Sequence, residues 1–363
     1  MSNSSAPCAL QVHAGPRALA QLREQGLRPQ DVRVVPAAAG GPKGLVLNPL
    51  DRFIFGPWLG AAPQTVHLLG ASIGAWRMAC ATLPDAEAAL AQLAEDYITQ
   101  QYEHAPGQAP TPTTVSRDFG RKIQERLGAR ATEVLAHPTR RLHVFTSRGR
   151  HVLRRQGRLR TPLGYFGAFV ANALHRPALG GFLDRVVFSD PREPLPFALD
   201  DFRSHAVALG AGNLTPAILA SCSIPFWLDA VHDIPGAPRG AYWDGGITDY
   251  HLHLPYAQMS EGLVLYPHFQ ATVVPGWLDK AWKRRHRSSP WLDNLVLLSP
   301  NPAWVKTLPG GKLPDRQDFK TFADDDAGRM RRWRQALAES QRLADEFAER
   351  VQGGRGLQAL PLP

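Results

Sequence analysis

The sequence predicts an α/β fold with a mostly parallel central sheet and a helical extension at its C-terminal end. Three observations carry this. Short β-branched or apolar runs at residues 31–35, 65–69, 141–147 and 184–188 alternate with stretches of helical period, the pattern of strands joined by crossover helices. The run Thr65-Val-His-Leu-Leu69 is apolar enough to be buried on both faces, as parallel strands are. In the tail, Met330, Trp333, Leu337, Ala344, Phe347 and Val351 recur at three- and four-residue steps.

Taken in order, residues 1–13 read as a loose leader, 16–25 as a short helix and 31–35 as a strand. That strand runs into Pro36-Ala-Ala-Ala-Gly-Gly-Pro-Lys-Gly44, a loop of small residues. Asn48-Pro49 resembles a helix start, with Asn as cap and Pro at the first helical position. The strand at 65–69 is followed at once by Gly70-Ala-Ser-Ile-Gly74 and a small-residue helix at 75–81. Residues 84–102 form a helix with Leu90, Leu93 and Tyr97 on one face, 105–114 a loop rich in Pro and Thr, and Phe119, Ile123 and Leu127 mark another helix. Residues 163–182, aromatic and broken by Gly and Pro, fit an ordinary buried connection, or else the wall of an acyl-chain pocket or a lid; the buried connection is preferred. Further strands fall at 262–266 and 295–298. The tail reads as one amphipathic helix, led by Asp324-Asp325-Asp326 at its positive end and docked on the domain. This gives three parts: leader and short helix at 1–28, main domain at 29–258, and an extension at 259–363 packed upon it.

Composition excludes several classes. Nine Trp and the apolar fraction of the 363 residues allow a substantial core, so a disordered chain is excluded. Cys8, Cys80 and Cys222 are far apart and odd in number, so neither a disulfide framework nor a cysteine zinc site is expected. H-E-x-x-H is absent and the acidic run lacks calcium-loop spacing, so no metal and no cofactor are expected. No secretory signal and no run of roughly 20 apolar residues is present, which points to a soluble cytoplasmic protein, at most peripheral to a membrane. The net charge of +9 gathers in residues 140–160 and in Lys280-Ala-Trp-Lys-Arg-Arg-His-Arg287. A solvated basic surface is the plain explanation, and contact with an anionic membrane surface or head group the next. Nucleic acid is not an expected partner, because no finger, RRM or helix-turn-helix pattern accompanies the charge.

Two glycine-rich segments carry chemistry. Gly70-Ala-Ser-Ile-Gly74 fits G-x-S-x-G, a sharp strand-to-helix turn that thrusts Ser72 out of the sheet, with glycines where backbones approach. The free N–H groups at the helix start favour the negative charge that an attacked ester carbonyl develops. Ala39-Gly-Gly-Pro-Lys-Gly44 lets N–H groups converge on an oxyanion or a phosphate. It fits neither the P-loop nor the dinucleotide pattern. Trp243-Asp-Gly-Gly246 alone reads as a turn.

Together, a Gly-rich basic loop, G-x-S-x-G and then D-G-G resemble the patatin-like phospholipase family. Ala220-Ser-Cys-Ser-Ile-Pro225 is similar to the stretch that precedes the family's aspartate, with Ser223 in place of an alanine. The resemblance covers roughly residues 31–255 and implies a three-layer α/β/α catalytic domain. It implies a Ser–Asp dyad in which Ser72 attacks the acyl carbonyl and Asp244 takes its proton. Gly40, Gly41 and Ile73 would supply oxyanion N–H groups, and Lys43, Gly44, Gly70, Gly74, Gly245 and Gly246 complete the motifs. Ala39 stands where the family has its first loop glycine and is expected to keep a free backbone N–H. The expected substrate is a lipid or other acyl ester; the oligomeric state is not readable. Two rivals stay open. One is a Ser-His-Asp esterase using His251 or His253, and the other a lipid- or anion-binding protein on the same fold. His67, on the elbow strand, reads as a satisfied core histidine.

Overall fold

The structure, a computed structural model, describes residues 7–103, 108–353 and 357–363; residues 1–6 of the expected leader and 105–107 of the expected loop lie outside them. Eleven strands form one sheet: β1 Leu10–Ala14, β2 Val32–Ala37, β3 Val66–Ala71, β4 Arg140–Gly149, β5 Leu183–Ser189, β6 Ser204–Ala208, β7 Val231–His232, β8 Ala241–Asp244, β9 Leu263–Pro267, β10 Leu295–Pro300 and β11 Leu360–Pro361. The order is β11-β1-β10-β9-β2-β3-β4-β5-β6. The run from β10 through β9, β2 and β3 to β4 is parallel throughout.

The sheet is the middle layer of an α/β/α arrangement. Successive residues of a strand point to opposite faces, and Leu68 and Leu69 of β3 accordingly enter two different cores. Long helices such as Ile73–Ala81, Ala86–Ile98 and Gln341–Gln352 cover one face. Tyr250, Tyr256 and Phe269, on short turns, cover the other.

One topological detail positions the site. β4 is longer than β3. Residues 140–145 of β4 pair with β3, and the last of these pairs is Phe145 with Ala71. Where β3 stops, β8 takes over: Thr146 of β4 pairs with Asp244. The ends of β3 and β8 therefore meet head to head at the carboxyl ends of the parallel strands, where open α/β sheets place their ligands.

Several expectations are corrected. Residues 10–14 of the expected leader are β1, held antiparallel to β10; Leu-Gln-Val-His-Ala places Leu10 and Val12 in the core. β9 and β10 lie in the same sheet as β2, so the boundaries at 28 and 258 fall between strands of one sheet rather than between separate cores. The loop before the second helix turns into a 3-10 segment, Gly41–Leu47, that runs straight into the helix Asn48–Phe53; Asn48 is thus inside and caps nothing, its amide donating instead to Leu90 O at 2.7 Å. The expected loop at 105–114 ends at Thr111, whose hydroxyl caps the helix Pro112–Ile123.

The tail is two helices, Asp326–Glu339 and Gln341–Gln352. Ser340 separates them: its N–H turns back to Ala336 O, its hydroxyl to Leu337 O, and its ψ of −5° leaves the helix. The two then pack on different partners, Trp333 against Phe319 and Phe347 against Trp58. The first basic cluster is only partly solvated, since Arg140 and Arg141 are buried and Arg148 pairs with Asp184 at 2.6 Å. Residues 163–182 are not a buried connection: they hold most of a helix, Arg160–Leu174, with an exposed apolar face.

Candidate active site

β3 ends at Ala71 and the chain enters the helix Ile73–Ala81 through Ser72 alone. Ser72 has φ 57° and ψ −132°, a conformation that strains any side chain and persists only where the surroundings enforce it. Ser72 O accepts from Ala75 N at 2.9 Å, and Ser72 N donates to Ser221 Oγ at 2.9 Å. Gly74 is required by close approach, because a Cβ there would stand 2.0 Å from Ala37 O. Gly70 faces the backbone of Ala75 in the same way.

Asp244 closes β8 and is buried with Ser72. Ser72 Oγ donates to Asp244 Oδ2 at 2.7 Å, and Gly246 N donates to Asp244 Oδ1 at 2.7 Å. Both carboxylate oxygens are therefore fixed. The backbone is fixed as well: Asp244 N donates to Ser223 O at 2.9 Å, Gly245 N to Ser221 O at 3.1 Å, and Ser147 Oγ to Asp244 O at 2.9 Å. Burial raises the Asp244 pKa above the ordinary carboxylate value, against the opposing pull of the Ser72 hydroxyl and the Arg316 charge. A raised pKa makes the carboxylate a stronger base.

Gly40 lines the pocket beside Ser72 and Asp244. Gly41, at φ +57°, lets the loop turn back on itself. The N–H groups of Gly40, Gly41 and Ile73 donate to no protein acceptor among the described residues. Gly41, Gly44 and Ile73 line a narrow recess behind the loop, with Arg77 and Tyr97. Ala39 is a correction: its N–H is not free but donates to Tyr250 O at 2.9 Å. It lends shape instead, its methyl group standing against Gly246.

The pocket measures about 280 Å³, just below the roughly 300–1,000 Å³ of small-molecule sites. Three cations, Lys43, Lys280 and Arg316, line it with Ser72 and Asp244. None of the three forms an ion pair with a carboxylate among the described residues, whereas Asp315 on the same wall is paired with Lys312 at 2.9 Å. Lys280 Nζ lies 4.1 Å over the Tyr250 ring. Burial, then Arg316 and Lys43, lowers its pKa to about 7. The arrangement can hold an anion next to a hydroxyl–carboxylate pair.

No histidine among the described residues lines this pocket. His251 Nδ1 accepts from Val274 N at 2.9 Å and its ring stacks on Tyr250; His253 Nε2 meets Ser289 Oγ at 2.9 Å. His67 is a core residue whose Nδ1 meets His143 Nε2 at 3.0 Å. Among the described residues no cluster of His, Cys, Asp and Glu could hold a metal, and all three cysteines are free.

No protein-family model matches this chain, and a search of curated proteins finds no match.

Sequence reasoning missed three participants. Ser221 ties the elbow to the aspartate strand, accepting from Ser72 N and donating to Phe145 O at 2.7 Å. Its motif was visible, but not the bonds it makes across the sheet. Lys280 was legible only as part of a basic run, and Arg316 by no local signal.

Proposed function

We propose that this chain is a serine acyl-ester hydrolase of the patatin-like phospholipase type. The observation that carries this reading is the 2.7 Å contact from Ser72 Oγ to Asp244 Oδ2 in a pocket that no histidine among the described residues lines. Ser72 Oγ attacks the acyl carbonyl while its proton passes to Asp244. The carbonyl oxygen becomes an oxyanion, held by the free N–H groups beside Gly40 and at Ile73. The intermediate collapses, the C–O bond to the alcohol breaks, and the alcohol leaves with the proton from Asp244. Water then attacks the acyl-enzyme, giving its proton to Asp244, and the carboxylic acid departs as Ser72 recovers a proton. The three unpaired cations favour an acyl ester that also carries an anionic group, as a phospholipid carries phosphate.

The test is turnover of a chromogenic short-chain acyl ester. Ser72→Ala should reduce it to background, and Asp244→Asn should lower kcat by about 10²–10⁴-fold, the range of a lost general base. His251→Asn and His253→Gln should retain turnover per folded molecule. Full activity in either dyad variant would sink the dyad, and loss in a folded histidine variant would favour the triad.

A further inference from the structure

The helix Arg160–Leu174 has no charged residue after Arg160. One face of it packs inward: Tyr165 meets Trp243 at 5.8 Å between ring centroids, and Asn172 donates to Asp279 Oδ1 at 2.9 Å. The other face is apolar and bare. Leu159, Leu163, Phe166, Val170 and Leu174 follow at steps of four, three, four and four, and are 83%, 65%, 67%, 41% and 82% exposed. A surface helix normally turns charged or polar residues outward.

A second exposed apolar pair adjoins the helix next to two residues of the pocket wall. Phe226, which follows the pocket residues Ile224 and Pro225, sets its ring 6.0 Å from that of Tyr165 and is 55% exposed. It is held at φ +72°, a strained conformation for an aromatic residue on a surface. Trp227 beside it is 51% exposed, with Lys320 Nζ 5.7 Å over its ring. Eight of the nine exposed large apolar residues among those described lie on this helix, at its N-cap Leu159, or at Phe226 and Trp227.

Cations frame it at both ends. Arg154, Arg158 and Arg160 precede the helix or open it; all are exposed and none forms an ion pair among the described residues. Arg285 reaches the last turn, donating to Ala173 O at 3.2 Å, which places the exposed Lys283, Arg284 and Arg287 by the other end.

We propose that this face is a docking surface for an anionic lipid bilayer, with the helix lying in the interface and the pocket mouth beside it. Apolar side chains on one stripe with basic side chains flanking it match the acyl boundary and the anionic head groups respectively. The mechanism of hydrolysis is not needed for this: a chain with Ser72→Ala docks equally.

The test is co-sedimentation of the full chain with vesicles of phosphatidylcholine alone and of phosphatidylcholine with phosphatidylglycerol. The parent chain should bind the anionic vesicles more tightly than the neutral ones, and less tightly in high salt. The pair Leu163→Glu and Phe166→Glu should lose about tenfold or more of that binding, and Arg154→Gln and Arg158→Gln about fivefold each. All should keep the parent circular dichroism and turnover of a soluble short-chain ester. Equal binding by parent and Leu163/Phe166 pair, or no binding to either vesicle, overturns the proposal. So does a solution dimer that the pair dissociates while vesicle binding is absent, which would make the face a contact between two copies.

Discussion

Ser72 and Asp244, 172 residues apart in sequence, are in contact because two consecutive residues of β4 receive their strands: Phe145 pairs with Ala71 and Thr146 with Asp244. The hydroxyl and the carboxylate are thus set by backbone register, not by loops, and rigid elements hold such geometry better than loops do.

Ser221 locks that register. Its hydroxyl accepts from Ser72 N and donates to Phe145 O, both buried. Ser221→Ala takes the acceptor from the buried Ser72 N–H and one donor from Phe145 O; a buried group left unpaired costs about 1–3 kcal/mol. Chemical denaturation should show this loss, and kcat should fall while KM stays near the parent value. Parent stability and parent kcat together would remove Ser221 from the support of the elbow.

Asp244 couples activity to pH and to stability in opposite senses. Its folded pKa is raised by burial, so the folded state holds this proton more firmly than the unfolded chain. Its stabilising effect is therefore present below the unfolded carboxylate pKa and is lost as pH rises through the raised value. Asp244→Asn should accordingly raise Tm at neutral pH, with the gain vanishing in acid, while kcat falls by about 10²–10⁴-fold. In the parent, kcat/KM should rise with pH through an apparent pKa above that of an ordinary carboxylate. A lower Tm for Asp244→Asn at neutral pH would contradict the raised pKa.

The cation wall should act as a charge filter. Lys280, at about 7, is charged below that pH and neutral above it. Preference for an anionic acyl ester over a neutral one of equal chain length should weaken as pH rises through 7. Lys280→Met and Arg316→Gln should raise KM for the anionic ester and leave the neutral one unchanged. Equal effects on both esters would place these residues in packing rather than recognition.

Local signals made much of this legible. An apolar strand, G-x-S-x-G and a small-residue helix follow one another in the sequence as they do in space, since a strand-to-helix turn is a short-range feature. β1 was legible in principle, because Leu10, Val12 and Ala14 alternate with polar residues, but a five-residue alternation is a weak signal. The break at Ser340 was not, because an apolar period can continue across two helices that dock separately. Arg316 lies in a stretch of no distinctive pattern, and it reaches the pocket wall only through the tertiary fold. The exposed face of Arg160–Leu174 was misread for a plain reason: large apolar and aromatic side chains are far more often buried than bare.

The most direct test of the dyad is covalent labelling by a fluorophosphonate, read by intact mass and peptide mapping. The parent chain should take one adduct, on Ser72. Ser72→Ala should take none, and Asp244→Asn should label far more slowly. An unlabelled parent chain, or an adduct on any other serine, would contradict Ser72 as a nucleophile activated by Asp244.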